Sequence, residues 1–387
     1  MKDIYLDYNA TTPVDSRVAE SMKPFISENF HNPSSLYKNA KSIKKSIEES
    51  RDKIAALIGA SPKEIIFTGG GSESDNHAIK GVAFSLMNKG KHIITSSIEH
   101  HAVLHTCKFL EKIGFEITYL PVDKYGFVSP EDVREAIRED TLLVSVMYAN
   151  NEIGTIEPVN EISAITREKG VLFHTDAVQA VGKIPINVKD SGIDLLSLSA
   201  HKFYGPKGVG ALYVRKMVRI ENFIHGGMQE RGKRAGTENI SGIIGMGKAA
   251  EIALEEMEDE KIKIKPLRDK LELELLKRIP DIIVNGHPEQ RLYNTLNIVI
   301  KYIEGEGILT FLDIEGISVS SGSACASGSL EPSHVLLSTG IPVEHAHGSL
   351  RFSLGKYNTS DDIDKVIEVL PEIVEKLRAM SPLWNKR

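Results

Sequence analysis

Lys202 follows an apolar run, Ile193-Asp194-Leu195-Leu196-Ser197-Leu198-Ser199, that reads as a buried strand. Glycine-rich chain comes next, Gly205-Pro206-Lys207-Gly208-Val209-Gly210. A lysine at the end of a buried strand, beside backbone that a ligand can approach closely, is poorly placed as a solvating charge. It is well placed to form a Schiff base with a carbonyl cofactor. Most lysines beside strands are simply solvated, so the case for Lys202 rests on its company.

Thr68-Gly69-Gly70-Gly71-Ser72-Glu73-Ser74-Asp75 follows a second apolar run and opens a helical pattern. Free backbone N–H groups and the helix dipole make such a start an anion site, with Gly71 and Ser72 as the phosphate contacts. A capped helix after a flexible turn is the plainer alternative. Asp176, in His174-Thr175-Asp176-Ala177-Val178-Gln179, ends another apolar run. A carboxylate there needs a cation, which a pyridinium N–H would supply, or it caps the next helix. Gln179 could donate to a phenolic oxygen on the same ring. His100, in Glu99-His100-His101, could stack on an aromatic cofactor and move protons, or be an idle helix-start histidine.

Cys325 stands among small residues, Ser321-Gly322-Ser323-Ala324-Cys325-Ala326-Ser327-Gly328. A structural cysteine sits in an apolar element, as Cys107 does, so Cys325 reads as a nucleophile. Arg351 interrupts the strand pattern Ser349-Leu350-Arg351-Phe352-Ser353-Leu354. It would clamp a carboxylate bidentately or pair with a neighbouring acid.

Positioning these residues needs elements that bring distant strand ends together. Between about residues 60 and 215 the pattern predicts strands over Glu64–Phe67, His92–Ser96, Phe115–Leu120, Leu142–Met147, Val171–His174, Asp194–Ser199 and Gly210–Val214. Helical patterns over Asp75–Asn88, Ala102–Ile113 and Pro130–Ile137 alternate with them. That order implies an α/β fold with a mostly parallel sheet, whose ligands sit at the carboxyl ends of the strands. Glu251–Arg278 reads as a charged helical bridge, kinked or broken at Pro266. Strands over Asn294–Ile300, Ile317–Ser320 and Ser349–Leu354 and a helix over Asp361–Met380 then suggest a smaller α+β unit packed beside segment 1–15.

Composition narrows the classes. The chain has 387 residues, 41% hydrophobic and 26% charged, with net charge -6. It has ample sequence for about two domains, no basic excess for nucleic acid, and no apolar run of membrane length. Without an export signal the cytoplasm is expected. The two cysteines make neither a metal-spaced set nor a disulfide framework, and no metal is expected.

Assembled, these motifs resemble one family: the group I, NifS/IscS-type cysteine desulfurases of the class V aminotransferase group, which are fold-type I pyridoxal-phosphate enzymes. The resemblance runs from Tyr5-Leu6-Asp7-Tyr8-Asn9-Ala10-Thr11-Thr12 to Ser381-Pro382-Leu383-Trp384, through Asn32-Pro33-Ser34-Ser35, Asn150-Asn151-Glu152-Ile153-Gly154-Thr155 and His201-Lys202-Phe203-Tyr204-Gly205-Pro206-Lys207-Gly208. It implies a large cofactor domain (16–258) with a mostly parallel seven-stranded sheet, and a small α+β domain (1–15 and 259–387) carrying the cysteine loop. It implies pyridoxal 5'-phosphate, with Lys202 as the Schiff-base lysine and His100 as the stacking acid/base. Asp176 would pair with the pyridinium, Gln179 with the ring hydroxyl, and Gly71, Ser72, Ser199 and His201 with the phosphate. Thr237 would reach the phosphate of the other subunit of a homodimer. Asn151 would lie by cofactor and substrate, and Asn32 and Arg351 would bind the substrate. The reaction implied is L-cysteine to L-alanine, with sulfur left on Cys325 as a persulfide. An IscU/NifU-like iron–sulfur scaffold or a tRNA-thiolation protein would then accept it. Gly71-Ser72 replaces a common Ala-Thr, and His31, Tyr37 and His77 also depart from the family's pattern. Two rivals remain: another fold-type I enzyme, such as an aminotransferase or selenocysteine lyase, and a non-catalytic scaffold.

Overall fold

The computed structural model describes residues 3–321, 332–381 and 384. Strand β1 (Ile4–Tyr5) opens the chain. The next seven strands form one sheet: β2 (Ile65–Thr68), β3 (His92–Ser96), β4 (Glu116–Leu120), β5 (Thr141–Ser145), β6 (Leu172–Asp176), β7 (Leu195–Ser199) and β8 (Gly210–Val214). Their order is β2-β8-β7-β6-β5-β3-β4. Only β8 runs antiparallel, to both its neighbours; the remaining pairs are parallel. Strands β3, β5 and β7 are buried at every residue, as expected where helices cover both faces of a sheet. The predicted strands all form, with ends shifted by one to two residues.

Strand β4 lies on one side of β3 and β5 on the other. Their connections therefore diverge, which opens a crevice at the carboxyl ends of β3 and β5. The helix Gly71–Leu86 packs on the sheet through Ala78, Ile79, Val82 and Ala83, an apolar face at helical spacing.

The bridging helix differs from expectation. It runs unbroken over Ile240–Arg278 with Pro266 inside. Its first half contributes Ile243, Met246, Ala249 and Ala250 to the large core, and its second half Ile264, Leu271 and Leu275 to another. Packing on both sides offsets the one backbone hydrogen bond that a proline removes. The second core lies under an antiparallel sheet of β9 (Ile282–Asn285), β10 (Thr295–Ile300) and β12 (Ser349–Ser353), covered by the helix Ser360–Met380. Strand β1 pairs in parallel with β11 (Ile317–Ser318), and Asp7 bridges to Ser353. Thus the N-terminal segment joins the C-terminal unit. The strand β9 and the helices Lys38–Leu57 and Gly305–Ile314 were not foreseen. None of the helices among the described residues is long and apolar enough to cross a membrane.

Candidate active site

A cavity of about 270 Å³ opens at the carboxyl ends of the central strands. Chain after β2 brings Gly71 and Ser72 to it, chain after β3 brings His100, and chain after β5 brings Asn151. Asp176 ends β6, Gln179 follows it, and Ser199, His201 and Lys202 come from the end of β7. Arg351 enters from β12, and Asn9 and Ala10 from the N-terminal segment.

Lys202 ends a single 3-10 turn after β7. Its Nζ donates to the carbonyls of Asn9 at 2.6 Å and Ala10 at 2.7 Å. The turn is tight: a Cβ on Gly205 would lie 2.8 Å from the Ala200 carbonyl oxygen. His201 is held by Thr11, Nδ1 to Oγ1 at 3.1 Å, and burial lowers its pKa to about 4. No side chain caps the helix that starts at Gly71, so its first N–H groups remain available to an anion. Gly70 has φ 154° and ψ −176°, a conformation only glycine adopts readily. Glu73 in the first turn would repel an anion. Arg234 covers it, with Nε to Oε1 at 2.9 Å, and Glu73 Oε2 turns back to the Gly69 N–H at 2.8 Å.

His100 is the N-cap of the helix His101–Glu111, and its Nδ1 accepts the Ala102 N–H at 3.1 Å. Burial first, and Lys202 second, lower its pKa to about 4. The ring is therefore neutral at pH 7, with its proton on Nε2. Asp176 accepts the Val178 N–H at 2.9 Å. Burial raises its pKa, opposed by that hydrogen bond and by Lys202. Two further buried acids stand nearby that the sequence reading did not single out, Asp75 and Glu99. Asp75 lay within a quoted motif, but nothing in one-dimensional sequence placed it opposite Asp176.

Gln179 is already engaged: Nε2 donates to the Asn9 carbonyl at 2.9 Å, and Oε1 accepts from the buried Lys183 at 3.2 Å. That orients the amide with its N–H groups toward the cavity side. Arg351 meets both readings of its sequence position. Nη2 pairs with Asp7 Oδ1 at 2.7 Å, Nη1 donates to the Asn151 carbonyl at 3.0 Å, and the guanidinium still lines the cavity. Asn9 is the junction that went unassigned. Its Nδ2 binds the Asn151 carbonyl and Thr295 Oγ1, and its N–H binds Ser353 Oγ.

Two of the expected residues, Thr237 and Asn32, do not line this chain's own cavity. Thr237 is exposed and lines a separate hollow with Gly69 and Gly208. Asn32 is exposed and caps its own turn, Oδ1 accepting the Ser34 N–H at 2.9 Å. Cys325 lies outside the described residues. The chain on either side of it is anchored near the site: Ser320 exchanges backbone hydrogen bonds with Arg351, and Ser333 donates to Glu152. Cys107 is fully buried, and burial pushes its thiol up to about 12, which makes it inert. Among the departures, His31 stacks on Phe30 beside Tyr37, away from the cavity, and His77 is buried in the helix.

The donor set fits pyridoxal phosphate. An uncapped helix start suits a phosphate, a buried carboxylate with one backbone donor suits a protonated ring nitrogen, and an amine faces the same cavity.

Comparison with known proteins agrees with this geometry. The family model described as aminotransferase class-V matches residues 4–366. The chain is 59% identical to the cysteine desulfurase IscS of Dictyoglomus turgidum, over 98% of this chain and 97% of that one. It is 60% identical to the cysteine desulfurase IscS of Methanosarcina thermophila, over 100% and 95%. Among solved structures, a NifS-like protein superposes with TM-score 0.92 at 41% identity, covering 97% of this chain and 100% of that one. SspA in complex with cysteine superposes with TM-score 0.82 at 41% identity, covering 92% and 100%.

Proposed function

The chain belongs to the class-V aminotransferase family, and from that premise we propose that it is a pyridoxal-phosphate-dependent cysteine desulfurase. It converts L-cysteine to L-alanine and takes the sulfur onto Cys325. The observation that carries the reading is the convergence of Lys202, Asp176 and an uncapped helix start on one cavity, with Arg351 at its side. Relatives at 59% and 60% identity bear the name cysteine desulfurase, and one solved neighbour is described with cysteine.

Gly71, Ser72, Ser199 and His201 would hold the cofactor's phosphate, Asp176 its ring nitrogen and Gln179 its ring hydroxyl, with His100 beside the ring. Pyridoxal phosphate, when bound, offers an aldehyde to amines and a ring that draws electrons from the adjoining carbon. Lys202 is the resting amine. Its free amine, facing the cavity, would be the base that takes the proton from the substrate's Cα. Arg351 and Asn151, which line the cavity, would orient the substrate carboxylate. Neutral His100, with its proton on Nε2, serves as the acid beside the substrate. The Cys325 thiolate attacks the substrate sulfur: the C–S bond breaks, an S–S bond forms, and protonation of the carbon gives alanine. Cys325 is four residues beyond Ser321, and four residues reach at most about 14 Å. That is enough to serve a cavity beside which Ser320 is anchored. This step separates the desulfurase from an aminotransferase, which has no use for Cys325.

The finer reading is a homodimer in which Thr237 serves the other subunit's phosphate, in keeping with its exposure outside its own cavity. The division into 16–258 and 1–15 plus 259–387 is supported by the two main cores, which it separates except at Leu292. A reducing cytoplasm suits a working thiol. The acceptor is a protein of the IscU/NifU-like or tRNA-thiolation kind. A cysteine pulse followed by mass spectrometry tests the reading. Reductant-sensitive extra sulfur is expected on the Cys325 peptide, with loss of alanine formation in Cys325→Ser and near-normal turnover in Cys107→Ser. Sulfur on Cys107, or a keto acid as product, would rule the reading out.

A further inference from the structure

Asp75 projects from the first turns of the helix Gly71–Leu86 into the cavity that Asp176 also lines. It is 1% exposed. One polar atom each of Asp75, His100 and Asp176 lie within 4.8 Å of one another. Asp75 Oδ1 has no hydrogen-bond partner of good geometry among the described residues; the Ser197 hydroxyl is a weak donor to the carboxyl, and burial outweighs it. The nearest cationic candidate, His174 Nε2, stands 3.7 Å away. His174 is already committed, through Nδ1 to Ser145 Oγ at 2.8 Å and through Nε2 to Ser197 Oγ at 3.0 Å. Burial lowers its pKa to about 3, so it offers no positive charge.

Two carboxylates this close, in a site closed to water, do not both ionise at neutral pH. The surroundings decide which one keeps a proton. Asp176 accepts a backbone N–H and feels Lys202. Asp75 faces Asp176, neutral His174, neutral His100 and the buried acid Glu99. Among the described residues, the groups acting on Asp75 are thus acids or neutral rings, with Asp176 carrying the charge near neutral pH, where burial keeps Glu99 protonated.

We propose that Asp75 is a positioning residue that stays a neutral carboxylic acid, so that Asp176 alone carries the charge that meets the cofactor's ring nitrogen. Ionised, Asp75 would add a second negative charge behind the ring. That charge would raise the proton affinity of the bases in the site, Lys202 included, and so weaken Lys202 as a proton donor. As an acid, Asp75 fills the space and adds no charge. Desolvation in the same direction supports this. The inference rests on the assignment of Asp176 to the ring nitrogen only for its consequence. The location of the proton stands independently.

Infrared difference spectroscopy of protein carrying isotope-labelled aspartate tests it, in both the apoprotein and the holoenzyme. Aspartate labelling leaves Glu99 and Glu152 silent. A carboxylic-acid C=O band is expected to persist well past the range of a free aspartate, and to vanish in Asp75→Asn. In the holoenzyme, Asp75→Asn should move the pH midpoint of the cofactor's absorption by less than about half a unit, since an amide mimics the neutral acid. No acid band in the wild type, a band that survives Asp75→Asn, or a midpoint shift beyond about one unit would overturn the proposal. If Asp75→Asn does not fold, Asp75→Ser takes its place: the band must vanish there, and its survival would place the proton on Asp176. If Asp176→Asn leaves the cofactor's absorption unchanged while the band is present, the role of Asp176 fails and the proton on Asp75 stands.

Discussion

Arg351 is held in position by two groups, the Asp7 carboxylate and the Asn151 carbonyl, while Nε has no hydrogen-bond partner among the described residues. Its planar fork is what permits this, and lysine has no equivalent. Arg351→Lys is expected to raise KM for cysteine at least about 10-fold with a smaller effect on kcat, a loss of about 1.4 kcal/mol or more. Steady-state kinetics checks this, and an unchanged KM would remove Arg351 from substrate binding. Glu99 gives a pH prediction. Burial raises its pKa from 4.5 to about 8 in the fold. The folded state thus binds a proton that the unfolded chain releases, and this contribution to stability is lost as pH rises from about 4.5 to about 8. Glu99→Gln keeps the oxygen that accepts from Ser96 and Met147. Its melting temperature should therefore gain on the wild type as pH rises through that window. Thermal melts of the apoproteins at a series of pH values decide the matter; a constant difference would contradict the burial argument.

At the level of elements, the phosphate end of the cavity depends on β8 lying hard against the turn before the helix Gly71–Leu86. A Cβ on Gly210 would come 2.7 Å from Gly70 Cα and 2.7 Å from the Leu198 carbonyl oxygen, both backbone atoms. Neither can swing aside, so Gly210→Ala must push β8 away from the turn or from β7. The expected cost is about 1–3 kcal/mol, together with weakened retention of pyridoxal phosphate. Thermal melts and cofactor titration measure the two effects. Gly71 differs in kind: a Cβ there would meet only the Val178 Cγ2 methyl, at 2.7 Å, and side chains can turn. This explains locally how the family's alanine and this chain's glycine can occupy the same position.

For the whole molecule, the site is assembled from two cores joined by one helix. Large-core strands supply Lys202 and Asp176, while the unit built on β10 and β12 supplies Arg351, and Asn9 binds to both. If Thr237 completes the partner's phosphate site, activity should fall with dissociation. Sedimentation combined with assays at increasing dilution is expected to show activity tracking the dimer, and a fully active monomer would exclude the shared site. Thr237→Val should then weaken phosphate retention without lowering the stability of the apoprotein by more than about 0.5 kcal/mol, as expected for an exposed position.

Periodicity and turn chemistry in the sequence were enough to establish the alternating strands and helices of the large sheet, because an apolar run between turn residues is a local signal. The same holds for Lys202, Asp176 and the glycine turn, each of which stands at a visible strand end. The long helix was misread at Pro266 because the packing that carries it through, Ile264 and Leu271 against the second core, comes from residues far along the chain. Long-range juxtaposition decided the rest. Asp75 and Asp176 lie about 100 residues apart in sequence, and only the stacking of the helix Gly71–Leu86 on the sheet makes them a pair. Asn9 gained its role through hydrogen bonds to residues near 151, 202, 295 and 353. Sequence determines which groups can do chemistry; which charges must share a proton depends on distance and burial, and these exist only once the chain has folded.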